Sequence, residues 1–267
     1  MVKRLLISGC SYGVIYSELE KELKEMFGMD KVINLSEHGA SPDRQIRVAI
    51  EWIAQNGKPD MIIVPVTHYN RFDLPIAKKF HHLNNLHYRS SWQMDLSKKI
   101  GSARPINPII DPDVLQTYLK TGAMVHQVEH MIHDYLFVKL ITFQAFLELN
   151  DIKHLIFDTG NHYEKLWMKY LSIDEENNSG YQPGMKKRDM IENCKGIYKF
   201  LSFSSNVWMY ENLSETEKKN YVPWSKPQRN KPMAYPQDEN GKATIHHNKE
   251  QVYKLIKYLK KEGAVYG

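Results

Sequence analysis

Hydrophobic positions along this chain follow two rhythms. Short unbroken apolar runs occur at Leu5-Leu6-Ile7, Val32-Ile33, Met61–Val66 and Leu155-Ile156-Phe157. Runs of that kind belong to strands buried on both faces. Between them, apolar residues recur every three or four positions, as amphipathic helices require. The first such stripe is Ile15, Leu19, Leu23, Met26 and Phe27. The second is Ile46, Ala49, Ile50 and Ile53, with Asp43 as candidate cap and Gly57-Lys58-Pro59-Asp60 as the stop. The longest runs from Val125 to Asn150, about seven turns, through Val128, Met131, Ile132, Tyr135, Leu136, Leu140, Phe143 and Leu147. The last holds Val252, Leu255, Ile256 and Leu259 behind Asn248, a residue suited to an N-cap. Strands alternating with helices predict an α/β fold, a parallel doubly wound sheet between helical layers.

Two stretches lose the rhythm. Leu74 to Gly122 mixes His81, His82, His87, Tyr88 and Trp92 with charges, and is broken by Pro105, Pro108 and Pro112. It predicts an insertion with little regular structure beyond a helix around Asp113–Thr121. Thr159 to Pro236 is the second stretch. Glu164–Leu171 has helical character, and Ile197–Leu201 suits a strand or a helix end. The segment holding Pro223, Pro227, Pro232 and Pro236 must be extended or looped. Loops this long are lids, binding loops or variable surface excursions. The 267 residues fit a single α/β domain over 1–267, with insertions at about 74–122 and 159–236.

Composition narrows the class. Hydrophobic residues make up 42% and charged residues 25%, as in an ordinary globular protein. The formal net charge is +5, but its lysines and arginines are scattered (Lys78-Lys79, Lys186-Lys187-Arg188, Lys218-Lys219, Lys260-Lys261). Scattered charge argues against a nucleic-acid track. Cys10 and Cys194 are the only cysteines. Cys10 falls in the first, buried turn, so no structural disulfide is expected and a reducing cytoplasm fits. No apolar run approaches membrane-spanning length, and the opening residues lack the long apolar core of a signal peptide. The chain is therefore expected to be cytoplasmic.

Chemistry concentrates where strands end. The first strand runs into Ser8-Gly9-Cys10-Ser11-Tyr12-Gly13, which puts Ser11 in a tight turn at a helix N-terminus. Open α/β sheets bind ligands in that crevice, and the amide groups of such a turn stabilise negative charge. Ser11 is a nucleophile with a distant base, or a helix cap, or part of a phosphate loop. Against the last, Gly9 to Gly13 spells G-x-x-x-G, neither the dinucleotide fingerprint nor a Walker loop. The third strand runs into Thr67-His68-Tyr69-Asn70-Arg71-Phe72-Asp73, a dense polar cluster at the matching position. Near the far end, His246 and His247 stand directly before the last helix, with Asp238 and Glu239 upstream. An early serine, with a late histidine and a nearby acid, is the inventory of a hydrolase triad. His126, His130 and His133 share a face of the long helix, but no partner completes a ligand set, so no metal is expected.

In this order the pieces resemble the SGNH (GDSL-like) hydrolase family, in the variant of phage and bacterial proteins that begin Gly-Cys-Ser-Phe/Tyr. Gly9-Cys10-Ser11 matches the family's first block, with Cys10 in its Asp position. Asn34-Leu35-Ser36-Glu37-His38-Gly39 is similar to the second, and Val66-Thr67-His68-Tyr69-Asn70-Arg71 stands where the third would be. His246-His247-Asn248 is similar to the ending of the last block, with Ala243 at its Asp position. The resemblance implies an α/β/α sandwich on a central parallel, flavodoxin-like sheet. It implies a serine esterase acting on a small ester, such as an acetylated sugar, with Ser11 as nucleophile and His246, or else His247, as base. Gly39 and Asn70 would be the oxyanion donors, with Thr67 and His68 as substitutes and Arg71 beside the substrate. Asp238 would supply the acid, or the site would run as a dyad. No cofactor is implied. A binding or structural protein on the same fold and a phosphate-ester or nucleotide-processing enzyme are the competing readings. The residues are silent on oligomeric state.

Overall fold

The computed structural model describes residues 2–67, 71–77, 86–93, 104–105, 128–159, 208–209, 211–219, 221–223, 234–236 and 248–267. Strands β1 (Arg4–Ile7), β2 (Lys31–Asn34), β3 (Met61–Val66) and β7 (Lys153–Asp158) form one sheet in the order β2-β1-β3-β7. All its pairings are parallel. This is the expected α/β fold with a doubly wound core. The strands match the apolar runs because a central parallel strand has no wet face. Every residue of β3 is buried.

Helices cover both faces, giving three layers. On one side α3 (Pro42–Asn56) and α4 (Val128–Leu149) pack Ile46, Ala49, Ile53, Leu140, Phe143 and Leu147 onto Leu6, Ile62, Val64 and Ile156. On the other, the segment from Ile15 to Phe27 and α6 (Lys249–Lys261) pack Tyr16, Leu19, Leu23, Val252, Leu255, Ile256 and Leu259 onto Leu5, Ile7, Ile63, Leu155 and Phe157. Alternate residues of each strand feed opposite layers, as the pleat dictates. A fully buried Leu or Ile contributes about 1.5–3 kcal/mol, so these two faces are the main source of stability.

Several expectations are corrected. The first helix is not continuous. It opens as α1 (Ser11–Val14), tightens into a 3-10 turn over Ile15–Leu19, and resumes as α2 (Glu20–Phe27). Asp43 does not cap α3: Ser41 does, its hydroxyl accepting the Arg44 N–H at 3.1 Å, with Pro42 next. Asp43, one position too far inside, forms an ion pair with Lys139 of α4 instead. Ile50 is 37% exposed, at the edge of its stripe. The stretch after Leu74 is also more regular than its composition suggests. Strands β4 (Arg71–Ala77), β5 (Leu86–Gln93) and β6 (Arg104–Pro105) form an antiparallel sheet. Pro75 sits where the β4–β5 register slips, at a bulge that tolerates a missing N–H. β8 (Tyr221–Pro223) and β9 (Ala234–Pro236) make a further antiparallel pair in the proline-rich segment, extended at those six residues, while 224–233 lie outside the described residues. A short helix, α5 (Glu215–Lys218), precedes it. The helices expected around 113–121 and 164–171 lie outside the described residues. No described helix is long and apolar enough to cross a membrane.

Candidate active site

The strand order reverses between β1 and β3: β2 lies outside β1, and the chain then crosses back to β3. Exit loops diverge at such a point and leave a crevice beyond the carboxyl ends of the strands. The two exits there are the Ser8–Gly13 turn and Thr67.

The turn is built for close approach. A Cβ on Gly9 would come within 2.8 Å of both Gly13 Cα and Pro65 Cγ. A Cβ on Gly13 would lie 2.2 Å from Ser36 Oγ. Glycine at both positions lets the turn nest against β3 and the loop after β2. The Gly13 N–H donates to the Cys10 carbonyl at 2.8 Å and closes the turn. Asn34, the last residue of β2, fastens it from the side. Its amide donates to the Gly13 carbonyl and to Ser17 Oγ, both at 2.9 Å, and its Oδ1 accepts the Ser36 N–H at 3.0 Å.

Ser11 does not cap the helix. Cys10 holds the N-cap position, without a side-chain cap bond, and Ser11 is the first residue of α1. The capping alternative is thereby removed. Ser11 is 8% exposed, and among the described residues the sole hydrogen-bond neighbour of its Oγ is Cys10 Sγ at 4.0 Å. That is a weak contact, since sulfur is a poor acceptor. Cys10 is fully buried and forms no disulfide among the described residues. Burial first, and the neighbouring Cys10 second, push the Tyr16 phenol above its ordinary range, so Tyr16 stays neutral.

Gly39 sits in the loop beside this turn. Ala40, which follows it, shares a buried cluster with Cys10 and Tyr12. The Glu37 N–H donates to the Gly9 carbonyl at 3.3 Å, and Arg44 of α3 pairs with the Glu37 carboxylate. Gly39 itself has φ +77°, a left-handed conformation that favours glycine. Thr67 is fully buried at the end of β3. Arg71 opens β4. His68, Asn70, Asp238, His246 and His247 lie outside the described residues, as does His126; His130 and His133 fall within α4.

The direction of α6 can still be followed. Lys249 Nζ, at its start, pairs with Glu22 Oε1 at 2.8 Å, and Lys260 near its end bonds the Met26 carbonyl. It therefore runs alongside α2. Beyond it, Tyr266 bridges His154 near the beginning of β7, with backbone bonds of 2.8 and 2.9 Å. The helix ends at the amino edge of the sheet, so Asn248 starts at the carboxyl rim, where Ser11 is. A capping box, Asn248 and Gln251 bonded at 2.9 and 3.2 Å, fixes that start.

Sequence reasoning overlooked Gln45. It is fully buried on α3; its Nε2 donates to the Pro65 carbonyl at 2.9 Å, and its Oε1 accepts the Thr67 N–H at 3.3 Å. Its own carbonyl accepts the buried Ser8 hydroxyl at 2.6 Å. The signal was available: Gln45 is a polar residue in phase with Ala49 and Ile53 on the apolar face. Among the described residues, no cluster of metal-ligating side chains is present. An open cavity of about 560 Å³ lies at the amino edge, lined in part by Lys3, Arg4, Lys58 and Lys153, remote from the carboxyl rim.

No protein-family model matches the chain. No curated protein matches it either. Among solved structures it is similar to a psychrotrophic esterase, EstA from Pseudoalteromonas sp., inhibited by monoethylphosphonate. The two are 10% identical, with a TM-score of 0.40 over 97% of this chain and 99% of that one.

Proposed function

We propose that the chain, acting as one domain, is a serine esterase of SGNH type that deacylates a small ester such as an acetylated sugar. One observation carries the proposal: Ser11 opens α1 at the switch point of the sheet, and among the described residues its hydroxyl serves neither as cap nor in a strong hydrogen bond. A residue so placed sits among the first amide groups of a helix turn, which in the proposed reaction stabilise an oxyanion. In the proposed reaction His246 takes the Ser11 proton, with His247 as the other candidate, and Ser11 Oγ attacks the ester carbonyl. The backbone N–H groups of Ser11 and Gly39, with Asn70, hold the oxyanion. Thr67 and His68 are substitute donors, Arg71 contacts the substrate, and Asp238 orients the base. The alcohol leaves with the proton, and water releases the acyl group by the reverse steps. Each well-placed oxyanion donor lowers the barrier by about 3 kcal/mol.

A short-chain aryl acetate tests this beside Ser11→Ala. Turnover in the native chain that falls to background in the variant is expected, as is labelling of Ser11 by a fluorophosphonate. Equal background in both, with no labelling, overturns the proposal in favour of a binding protein on the same fold. Phosphate-ester hydrolysis that survives Ser11→Ala favours a phosphate-processing enzyme.

A further inference from the structure

β1 and β3 pair from Leu5↔Met61 to Ile7↔Ile63. Ser8 adds one more bond, its N–H donating to the Ile63 carbonyl at 3.0 Å. Beyond that, β1 leaves the sheet to form the Ser11 turn, while β3 continues to Val66 beside β7. The last β3 groups on the β1 side are the Pro65 carbonyl and the Thr67 N–H, and both are buried. An amide or carbonyl left unpaired in the interior destabilises the fold, because it has lost its water without gaining a partner. Proline removes one donor at this edge, because Pro65 has no N–H to satisfy.

The Gln45 side chain takes the remaining two. A residue on a parallel strand opposite Val66 would donate to the carbonyl of 65 and accept from the N–H of 67. The Gln45 amide makes that same pair of bonds, at 2.9 and 3.3 Å. By the register of the pair, the groups it replaces are the N–H and carbonyl of Cys10. Its main-chain carbonyl meanwhile holds the Ser8 hydroxyl at 2.6 Å, where β1 departs. We infer that Gln45 is a positioning residue that stands in for a strand: it frees Cys10 and Ser11 to leave the sheet and fixes Thr67 across the crevice from them. It touches no substrate, and its catalytic effect rests on the esterase proposal.

Three variants test it: Gln45→Met, close in volume and without the amide; Gln45→Glu; and Ser8→Ala. Gln45→Met is expected to lower kcat on the aryl acetate by about ten- to a hundredfold per folded molecule, as small misplacements of reacting groups do, with KM nearly unchanged. Gln45→Glu separates hydrogen bonding from packing. Its ionised carboxylate cannot donate to the Pro65 carbonyl, whereas the protonated acid can. Its kcat relative to the native chain should therefore rise as pH falls through the titration of that carboxyl. Ser8→Ala should lower kcat less. Native kcat in Gln45→Met, or a flat ratio in Gln45→Glu, overturns the inference. Should Gln45→Met fail to fold, the Gln45→Glu ratio decides. Hydrogen exchange at the Thr67 amide judges the clasp without reference to activity. Faster exchange in Gln45→Met supports it and unchanged exchange overturns it, even if the native chain hydrolyses nothing and the esterase proposal falls.

Discussion

At Gly13 a single methyl group has nowhere to go, because Ser36 Oγ and Cβ lie 2.2 and 2.8 Å from where it would sit. Ser36 Oγ is itself buried without a hydrogen-bond partner among the described residues, and no space remains between it and the turn. Gly13→Ala is expected to cost about 1–3 kcal/mol, the usual penalty of overpacking. Ser36→Gly in the same chain should return most of it. A double-mutant cycle by denaturant unfolding checks this, and simple additivity would refute it. Ser11 shows what side chains decide at this scale. A serine after a strand is a good cap by composition, yet the chain turns one residue earlier and gives the N-cap to Cys10. Sequence pattern locates such a turn to within a residue or two, and here one residue takes the Ser11 hydroxyl out of the capping position.

Among the elements, β7 carries an unusual inward group. His154 is 1% exposed and stacks on Tyr266, with ring centroids 6.1 Å apart. Its Nδ1 lies 3.2 Å from the Ile152 carbonyl, which places the proton there, and Nε2 is buried with no partner among the described residues. Burial holds its pKa below the ordinary 6.5, more strongly than the Ile152 carbonyl and the charge of Glu148 raise it. Below about pH 6.5 the unfolded chain thus binds a proton that the folded chain resists. Stability from this group is complete above that pH and declines as pH falls toward the lower folded value. The slope is at most about 1.4 kcal/mol per pH unit for one proton. His154→Leu should flatten it, measured by urea unfolding between pH 7.5 and 5; an unchanged slope would count against this assignment. Helices and strands of the sheet were legible because their periods of 3.6 and 2 are set by backbone geometry. β4 and β5 were not, since polar and aromatic residues there mask the alternation expected of strands. The 3-10 turn within the first helix was hidden too, as its apolar spacing still fits a helix.

Taken whole, the molecule brings Ser11 and Asn248, far apart in sequence, to one rim. Ser11 follows β1, and Asn248 opens α6 at the same carboxyl edge, held by packing of Val252, Leu255 and Ile256 on the layer that includes Tyr16 and Leu19. On the esterase proposal, His246→Ala should cost nearly as much kcat as Ser11→Ala, and the double variant no more than either alone. Steady-state kinetics with the aryl acetate measure this. A full loss in His247→Ala with little effect in His246→Ala would exchange their roles, and independent additive losses would disprove a shared proton transfer.

The order of layers, the buried strands and the rim bearing Ser11 were determined by sequence alone. Each depends on local periodicity, and a parallel sheet with helices between strands must send every strand exit to one edge. Two features were decided only by tertiary structure. Glycines at 9 and 13 matter because Ser36 and Pro65, distant in sequence, press against them. Gln45 matters because β1 ends before β3 does, leaving backbone groups that only a side chain from another layer can reach. Such unmet hydrogen bonds come into being when strands of unequal length are laid side by side, and no pattern along a single strand records them.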